Sequence, residues 1–291
     1  MKILVTGASG FIGSHLMKYL SRNSTIHGLS RSQKSQNIFQ ISLLDKQKLA
    51  KHMKKNKYDV VVHLAASLEE SKPLDMFAKN CISTANILEC CVETNVTKVI
   101  FSSSQLVYGK SEYLPIDEDH PKNPTSNYAL SKLICEEICK MYHNTYGISI
   151  QILRFSSVYG PDQSSKYLIP TMMKNSINNK NIEIHHYRNG LQLMDFVHVK
   201  DVCKAISLAC KSKSKFGIYN IASGKPTTAN DIADKISQII SIHTINTNID
   251  KEANHVFYDI SNAEREFGFK PSIKLDKKTL KEIYKNIVSK K

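Results

Sequence analysis

The chain has 291 residues, 41% of them hydrophobic, and a formal charge of +14 from 40 Lys and Arg against 26 Asp and Glu. That length can bury a substantial core, while apolar runs such as Val60-Val61-Val62 stop far short of the roughly 20 residues a membrane span needs. Met1-Lys2-Ile3-Leu4-Val5-Thr6-Gly7 lacks the long apolar core of a secretory signal, so a cytoplasmic protein is expected.

Short apolar strands and helical patterns alternate from the first residues. Strands are predicted at Lys2–Thr6, Thr25–Leu29, Ile38–Ser42, Val60–Leu64, Lys98–Ser102 and Ser149–Arg154, and helices at Gly13–Leu20, Thr84–Glu93 and Ser131–Tyr146. This βαβα order predicts an α/β protein with a parallel sheet covered by helices on both faces. After Gly160-Pro161 the pattern loosens, with strands around Ile182–His185 and Phe216–Asn220 and helices near Ile169–Asn178, Asp201–Lys211 and Ala229–Ile240. The expected division is a nucleotide-binding domain over residues 1–160 and a smaller mixed α/β substrate lobe over 161–291, with parts near 195–222 returning to the first domain. The lysine-rich stretches Lys46–Lys57 and Lys270–Lys291 carry no interleaved aromatics that could stack on bases, and read as solvated surface. The seven cysteines show no Cys-x-x-Cys spacing and read as buried thiols; no metal is expected.

Val5-Thr6-Gly7-Ala8-Ser9-Gly10-Phe11-Ile12-Gly13 follows the first strand and opens a helix. In that context Gly7 permits the tight turn, Gly10 lets backbone approach a pyrophosphate at the helix N-terminus, and Gly13 lets the helix pack on the strand. The expected fold is therefore a Rossmann-type doubly wound sheet, with Gly7, Ser9, Gly10, Phe11, Ile12 and Gly13 as its cofactor loop. At the end of the second strand the residues are Ser30 and Arg31, with no carboxylate to bond a ribose; an arginine there can pair with a phosphate, so NADP is expected, with NAD as the alternative.

Tyr128 and Lys132 lie four apart on one helix face. An ammonium roughly 5 Å from the phenol, at an effective dielectric near 20, attracts the phenolate by about 3 kcal/mol and should lower its pKa toward neutrality. Ser104 stands at the end of the strand Ile100-Phe101-Ser102-Ser103-Ser104, where a hydroxyl can orient a carbonyl or alcohol while Tyr128 exchanges its proton.

With these residues together the chain resembles extended short-chain dehydrogenases, in particular the NAD-dependent epimerase/dehydratase group that modifies nucleotide sugars. The resemblance also rests on Val62-His63-Leu64-Ala65-Ala66, Asn80, Pro115-Ile116-Asp117-Glu118, Leu153-Arg154, Val158-Tyr159-Gly160-Pro161, Asp195-Phe196-Val197-His198 and Tyr219-Asn220-Ile221-Ala222. It implies that Leu64, Ala65, Ala66 and Asn80 belong to the cofactor cleft, that Tyr128, Lys132 and Ser104 are catalytic, that Tyr128 and Lys132 also contact the cofactor, and that Ser104, Gln105 and Ser157 face the substrate. It also implies a homodimer through the helices around Thr84–Glu93 and Ser131–Tyr146, although Ile134, Ile138 and Met141 could equally be core residues.

The departures narrow the reaction. Gln105 and Leu106 replace the acid pair that a dehydratase places after the catalytic hydroxyl, and neither side chain titrates. Ser157 stands where many relatives have asparagine, and Met194 where they have an arginine for the substrate diphosphate; Arg188 or Arg265 could supply a replacement cation. Reduction of a nucleotide-linked 4-keto sugar with NADPH is the first expectation, motivated by Arg31. The alternatives are an NAD-dependent nucleotide-sugar 4-epimerase and, from another class, a non-catalytic protein that senses dinucleotide or binds RNA. A membrane or nucleic-acid partner is not expected.

Overall fold

The structure, a computed structural model, describes residues 1–21, 24–32, 34–68 and 73–290. In chain order it contains β1 (Lys2–Thr6), α1 (Phe11–Leu20), β2 (Thr25–Ser30), β3 (Ile38–Gln40), α2 (Lys46–Asn56), β4 (Val60–His63) and α3 (Pro73–Phe77). A π-helical turn (Ala78–Ile82) leads into α4 (Ser83–Glu93), then come β5 (Lys98–Ser104), a 3-10 turn (Gln105–Val107), α5 (Asn127–Tyr146), β6 (Ser149–Phe155) and β7 (Ser157–Tyr159). The remainder comprises α6 (Leu168–Ile177), β8 (Ile182–Tyr187), β9 (Gly190–Leu191), β10 (Met194–His198), α7 (Val199–Lys211), β11 (Phe216–Ile221), β12 (Pro226–Thr227), α8 (Ala229–Ser237), β13 (Thr244–Ile249), α9 (Ser261–Phe267) and α10 (Lys277–Val288).

Seven strands form one sheet in the order β11-β6-β5-β4-β1-β2-β3, with every pairing parallel. Alternation along each strand divides the core in two. Ile3, Val5, Val62, Ile100 and Leu153 point to the face packed by α1 and α7, while Leu4, Val61, Val99, Ile150 and Ile152 point to the face packed by α2, α4 and α5. The chain winds outward from β1 through β2 to β3, then returns to β4 on the other side of β1. That reversal opens a crevice at the C-terminal ends of β1 and β4, where a doubly wound sheet binds its ligand.

Two three-stranded sheets, β12-β10-β7 and β13-β8-β9, complete the fold. A separate core of Ile169, Met173, Ile184, Ile232, Ile236, Leu280 and Ile283 joins α6, α8 and α10 to β8. Among the described residues no helix is long and apolar enough to cross a membrane.

Both lysine-rich stretches expected to be solvated surface expose nearly all their lysines and also contain helices, although Lys291 lies outside the described residues. In α2 only Leu49 and Met53, four apart, are buried, and Asp45 caps the N-terminus. In α10 Leu280 and Ile283 are buried and Asp276 forms a capping box with Thr279. Few apolar positions are enough when the other faces are charged and the first N–H groups are capped.

A hydrogen-bond relay ties the front of the sheet to α5. The Ala65 N–H donates to Thr6 Oγ1 (3.2 Å), and the Thr6 hydroxyl lies 2.7 Å from His63 Nδ1, to which it donates when the neutral imidazole carries its proton on Nε2. His63 Nε2 then donates to Thr84 Oγ1 (3.1 Å), whose proton goes to the Asn80 carbonyl (2.7 Å). This arrangement needs a neutral imidazole, and burial holds the His63 pKa down at about 3. Burial likewise lowers His52 and His198 to about 4.

A histidine whose folded pKa is depressed refuses a proton that the unfolded chain accepts below about 6.5, so stability is intact above that pH and falls below it. At pH 5 the fully buried His63 and His198 should each withdraw about 2 kcal/mol. Urea midpoints should therefore drop between pH 7.5 and 5, with net proton uptake on unfolding at the lower pH. Midpoints that do not move over this range would contradict neutral buried imidazoles.

Candidate active site

The glycine loop has the shape expected for a dinucleotide. Gly7 adopts φ +68°, and a Cβ there would lie 2.8 Å from the Ala65 nitrogen. A Cβ on Gly13 would collide with the Gly7 carbonyl oxygen, so α1 can lie against β1 only without a side chain at that position. Gly10 is the N-cap of α1 and supplies no side-chain cap. The first N–H groups of the helix and its dipole thus suit a pyrophosphate.

Beyond the loop a cavity of about 580 Å³ runs past the ends of β4 and β5 to the start of α5. Gly7, Gly10, Phe11, Ile12, Gly13, Leu64, Ala66, Ser104, Gln105, Tyr128, Lys132 and Ser157 all line it. Ser126 caps α5 by accepting from the Ala129 N–H (3.1 Å), which starts the helix at Asn127 and places Tyr128 in its first turn. Ser104 ends β5 and accepts from the Leu106 N–H (3.2 Å), which holds its oxygen at the cavity wall. Lys132 is buried, donates to the Ser102 carbonyl (2.6 Å), and lies 5.9 Å from the centre of the Tyr128 ring.

Residues 3–222 match the NAD dependent epimerase/dehydratase family. The chain belongs to this family. A putative UDP-glucose 4-epimerase of Methanocaldococcus jannaschii is 35% identical, over 94% of this chain and 94% of its own length. The solved UDP-N-acetylglucosamine 4-epimerase of Methanobrevibacter ruminantium, in complex with UDP-N-acetylmuramic acid, has a TM-score of 0.89 at 30% identity and covers 100% of this chain and 99% of that one. The UDP-glucuronic acid 4-epimerase of Bacillus cereus, in complex with NAD, has a TM-score of 0.88 at 28% identity and covers 99% of both chains.

Some residues expected at the site of this family enzyme stand back from the cavity. Asn80 is buried and acts as a clamp: it accepts from the Ser67 N–H (2.7 Å) and donates to Ser131 Oγ (3.0 Å), whose proton goes to the Tyr128 carbonyl (2.8 Å). Ala65 serves the loop through its backbone contacts with Gly7 and Thr6. Ser9 and Ser30 bond each other through their hydroxyls (2.9 Å), joining the glycine loop to the end of β2, and the neighbouring Arg31 is exposed. Arg188 is not brought to the cavity; it pairs with Asp250 (2.5 Å) on an exposed edge, and Arg265 bonds Asn262. Neither replaces the diphosphate-binding cation at Met194, which lines the cavity.

The expected lowering of the tyrosine pKa is reversed among the protein's own groups. Burial pushes the Tyr128 phenol well above its ordinary value, and burial also lowers Lys132. Desolvation therefore outweighs an ammonium that is held by a carbonyl oxygen and is itself costly to charge.

The sequence reading missed the group that holds these residues in place. Glu136, one turn beyond Lys132, and Arg154, in the fully buried β6, are 2% and 1% exposed. Arg154 donates Nε to Glu136 Oε1 (3.0 Å) and Nη2 to Oε2 (2.7 Å), while Nη1 reaches the Tyr108 hydroxyl (3.0 Å) and the Glu118 carbonyl (3.2 Å). The Ser103 hydroxyl also donates to Glu136. An arginine inside a buried strand, and a carboxylate four residues after Lys132, were the available signals.

Substituting Arg154→Met should cost about 3–5 kcal/mol, because it leaves Glu136 buried and unpaired. Adding Glu136→Leu should restore much of that loss. Urea unfolding of the single and double variants checks the coupling, and a single variant as stable as the parent would remove the pair from its central role.

Proposed function

We propose that the protein is a nucleotide-sugar 4-epimerase that retains NAD through its catalytic cycle. The observation that carries this reading is that the glycine loop, Ser104, Tyr128 and Lys132 open on one cavity. A single carbon can there meet both a hydride acceptor and a proton-transferring phenol. The three relatives described above are each named as a 4-epimerase, which supports epimerisation over reduction of a 4-keto sugar. NAD in the Bacillus cereus enzyme favours NAD over NADP.

Bound NAD supplies a reversible hydride acceptor. Tyr128, as its phenolate, takes the proton of the sugar hydroxyl and becomes the phenol, Ser104 holds that oxygen by a hydrogen bond, and Lys132 supplies the positive charge that stabilises the phenolate before the transfer. The same phenol returns its proton once the flat ketone has presented its other face. Gln105 and Leu106 contribute no second titrating group, consistent with one proton moved at one carbon rather than elimination of water.

The protein incubated with UDP-glucose or UDP-N-acetylglucosamine should form the 4-epimer without added cofactor, and its denatured supernatant should contain NAD. Tyr128→Phe should lower kcat at least ~10²-fold, and Arg31→Ala should leave the NAD content unchanged. Consumption of NADPH with a 4-keto nucleotide sugar, and no epimer from either UDP-sugar, would instead identify a reductase.

We also propose a homodimer through α4 and α5. Leu130, Ile134 and Met141 expose 37–53% of their surface along α5, beside Ile82 at 52%, whereas Ile138 packs into the core. Sedimentation should show a dimer that Ile134→Asp converts to monomer; a monomeric parent would refute this.

A further inference from the structure

Buried polar atoms in folded proteins nearly always have partners, and leaving one without carries an uncompensated desolvation cost. Among the described residues, the buried atoms without a hydrogen-bond partner include Gln105 Oε1, Ser156 Oγ and Gln163 Oε1, and all three residues line the cavity. Both carboxamides hang from β7. Gln105 Nε2 reaches Ser157 Oγ (3.1 Å), and Gln163 Nε2 donates to the Val158 carbonyl (2.6 Å).

The second bond fixes which way Gln163 faces. A carbonyl can only accept, so the amide nitrogen must point at Val158 and the amide oxygen must point away from it. Gln105 follows Ser104 directly in the chain, and both residues line the cavity. Among the described residues lining the cavity, Lys132 alone is charged, and its ammonium is already engaged with Ser102.

We propose that Gln105 and Gln163 read the sugar of the substrate, their amide oxygens accepting from its hydroxyl or acylamino N–H groups, so that the site selects neutral sugars over uronates. This rests on the nucleotide-sugar reading above. A sugar carboxylate would face carbonyl oxygens with no free cation to offset the repulsion, whereas hydroxyl and amide donors satisfy two buried acceptors at once.

The test is calorimetric titration of the NAD-saturated protein with UDP, UDP-glucose, UDP-N-acetylglucosamine and UDP-glucuronic acid. For the parent protein, the uronate should bind at least ~10-fold more weakly than UDP-glucose. Gln163→Met and Gln105→Met should each weaken the neutral UDP-sugars by ~10-fold or more while leaving UDP affinity unchanged, which also serves as the control for folding. Equal losses for UDP and UDP-glucose, no loss for either, or a uronate bound as tightly as glucose would overturn the proposal.

Because affinity and product formation are separate readouts, the two readings separate. The expected affinity pattern with no epimer formed would retain this assignment and refute the reaction. Epimerisation with unaltered affinities in both variants would do the opposite. Failure to bind any of the UDP-sugars would overturn both.

Discussion

A guanidinium and a carboxylate removed from water are tolerable only when nearly every donor and acceptor on them is used, because the desolvation cost otherwise exceeds their attraction. Arg154 and Glu136 meet that demand with partners drawn from β5, β6, α5 and the segment that follows the 3-10 turn. The network continues outward: the Tyr108 hydroxyl donates to Asn220 Oδ1 (2.6 Å), and the Asn220 N–H donates to Glu118 (2.7 Å). Moving any one of these elements would strand a buried charge. Ser104 is the neighbour of Ser103, and Lys132 lies one turn before Glu136, so the placement of the candidate catalytic residues follows from the ion pair.

The relay through Thr6, His63, Thr84 and Asn80 makes the complementary connection with a neutral group. It begins at the strand that carries the glycine loop and ends, through Ser131, at the backbone of Tyr128. One network therefore fixes α5 against the sheet and the other fixes its first turn against the cofactor loop. The acidic residues of the later motifs act in the same manner. Asp195 accepts from the Ser223 and Gly224 N–H groups (2.8 and 2.9 Å), and Asp201 accepts from those of Ser272 and Ile273 (3.0 and 2.9 Å), so both pin loops.

The cavity between these networks is close to neutral although the chain carries a charge of +14. Its lining carries a tyrosine, serines and one lysine, together with the carboxamides of Gln105 and Gln163. Excess lysine lies elsewhere, on helices such as α2 and α10 whose few apolar residues face the core. Net charge and local charge thus describe different properties: the first concerns solubility and long-range attraction of anions, the second the reaction.

Local chemistry in the sequence determined the parallel α/β fold, the cofactor loop and the Tyr128, Lys132 and Ser104 group, because strand alternation, glycine turns and helical spacing act over a few residues. Element ends were less legible. The strand expected over Ile38–Ser42 stops at Gln40, and the helix expected from Ser131 starts at Asn127, where Ser126 provides the cap. Only the tertiary structure decided what depends on residues distant in the chain. It paired Arg188 with Asp250 away from the cavity, buried Arg154 against Glu136, and brought Gln163 to the wall that also holds Gln105. It also set the direction of the Tyr128 pKa, since desolvation is the summed effect of all surrounding atoms and no spacing between two residues encodes it.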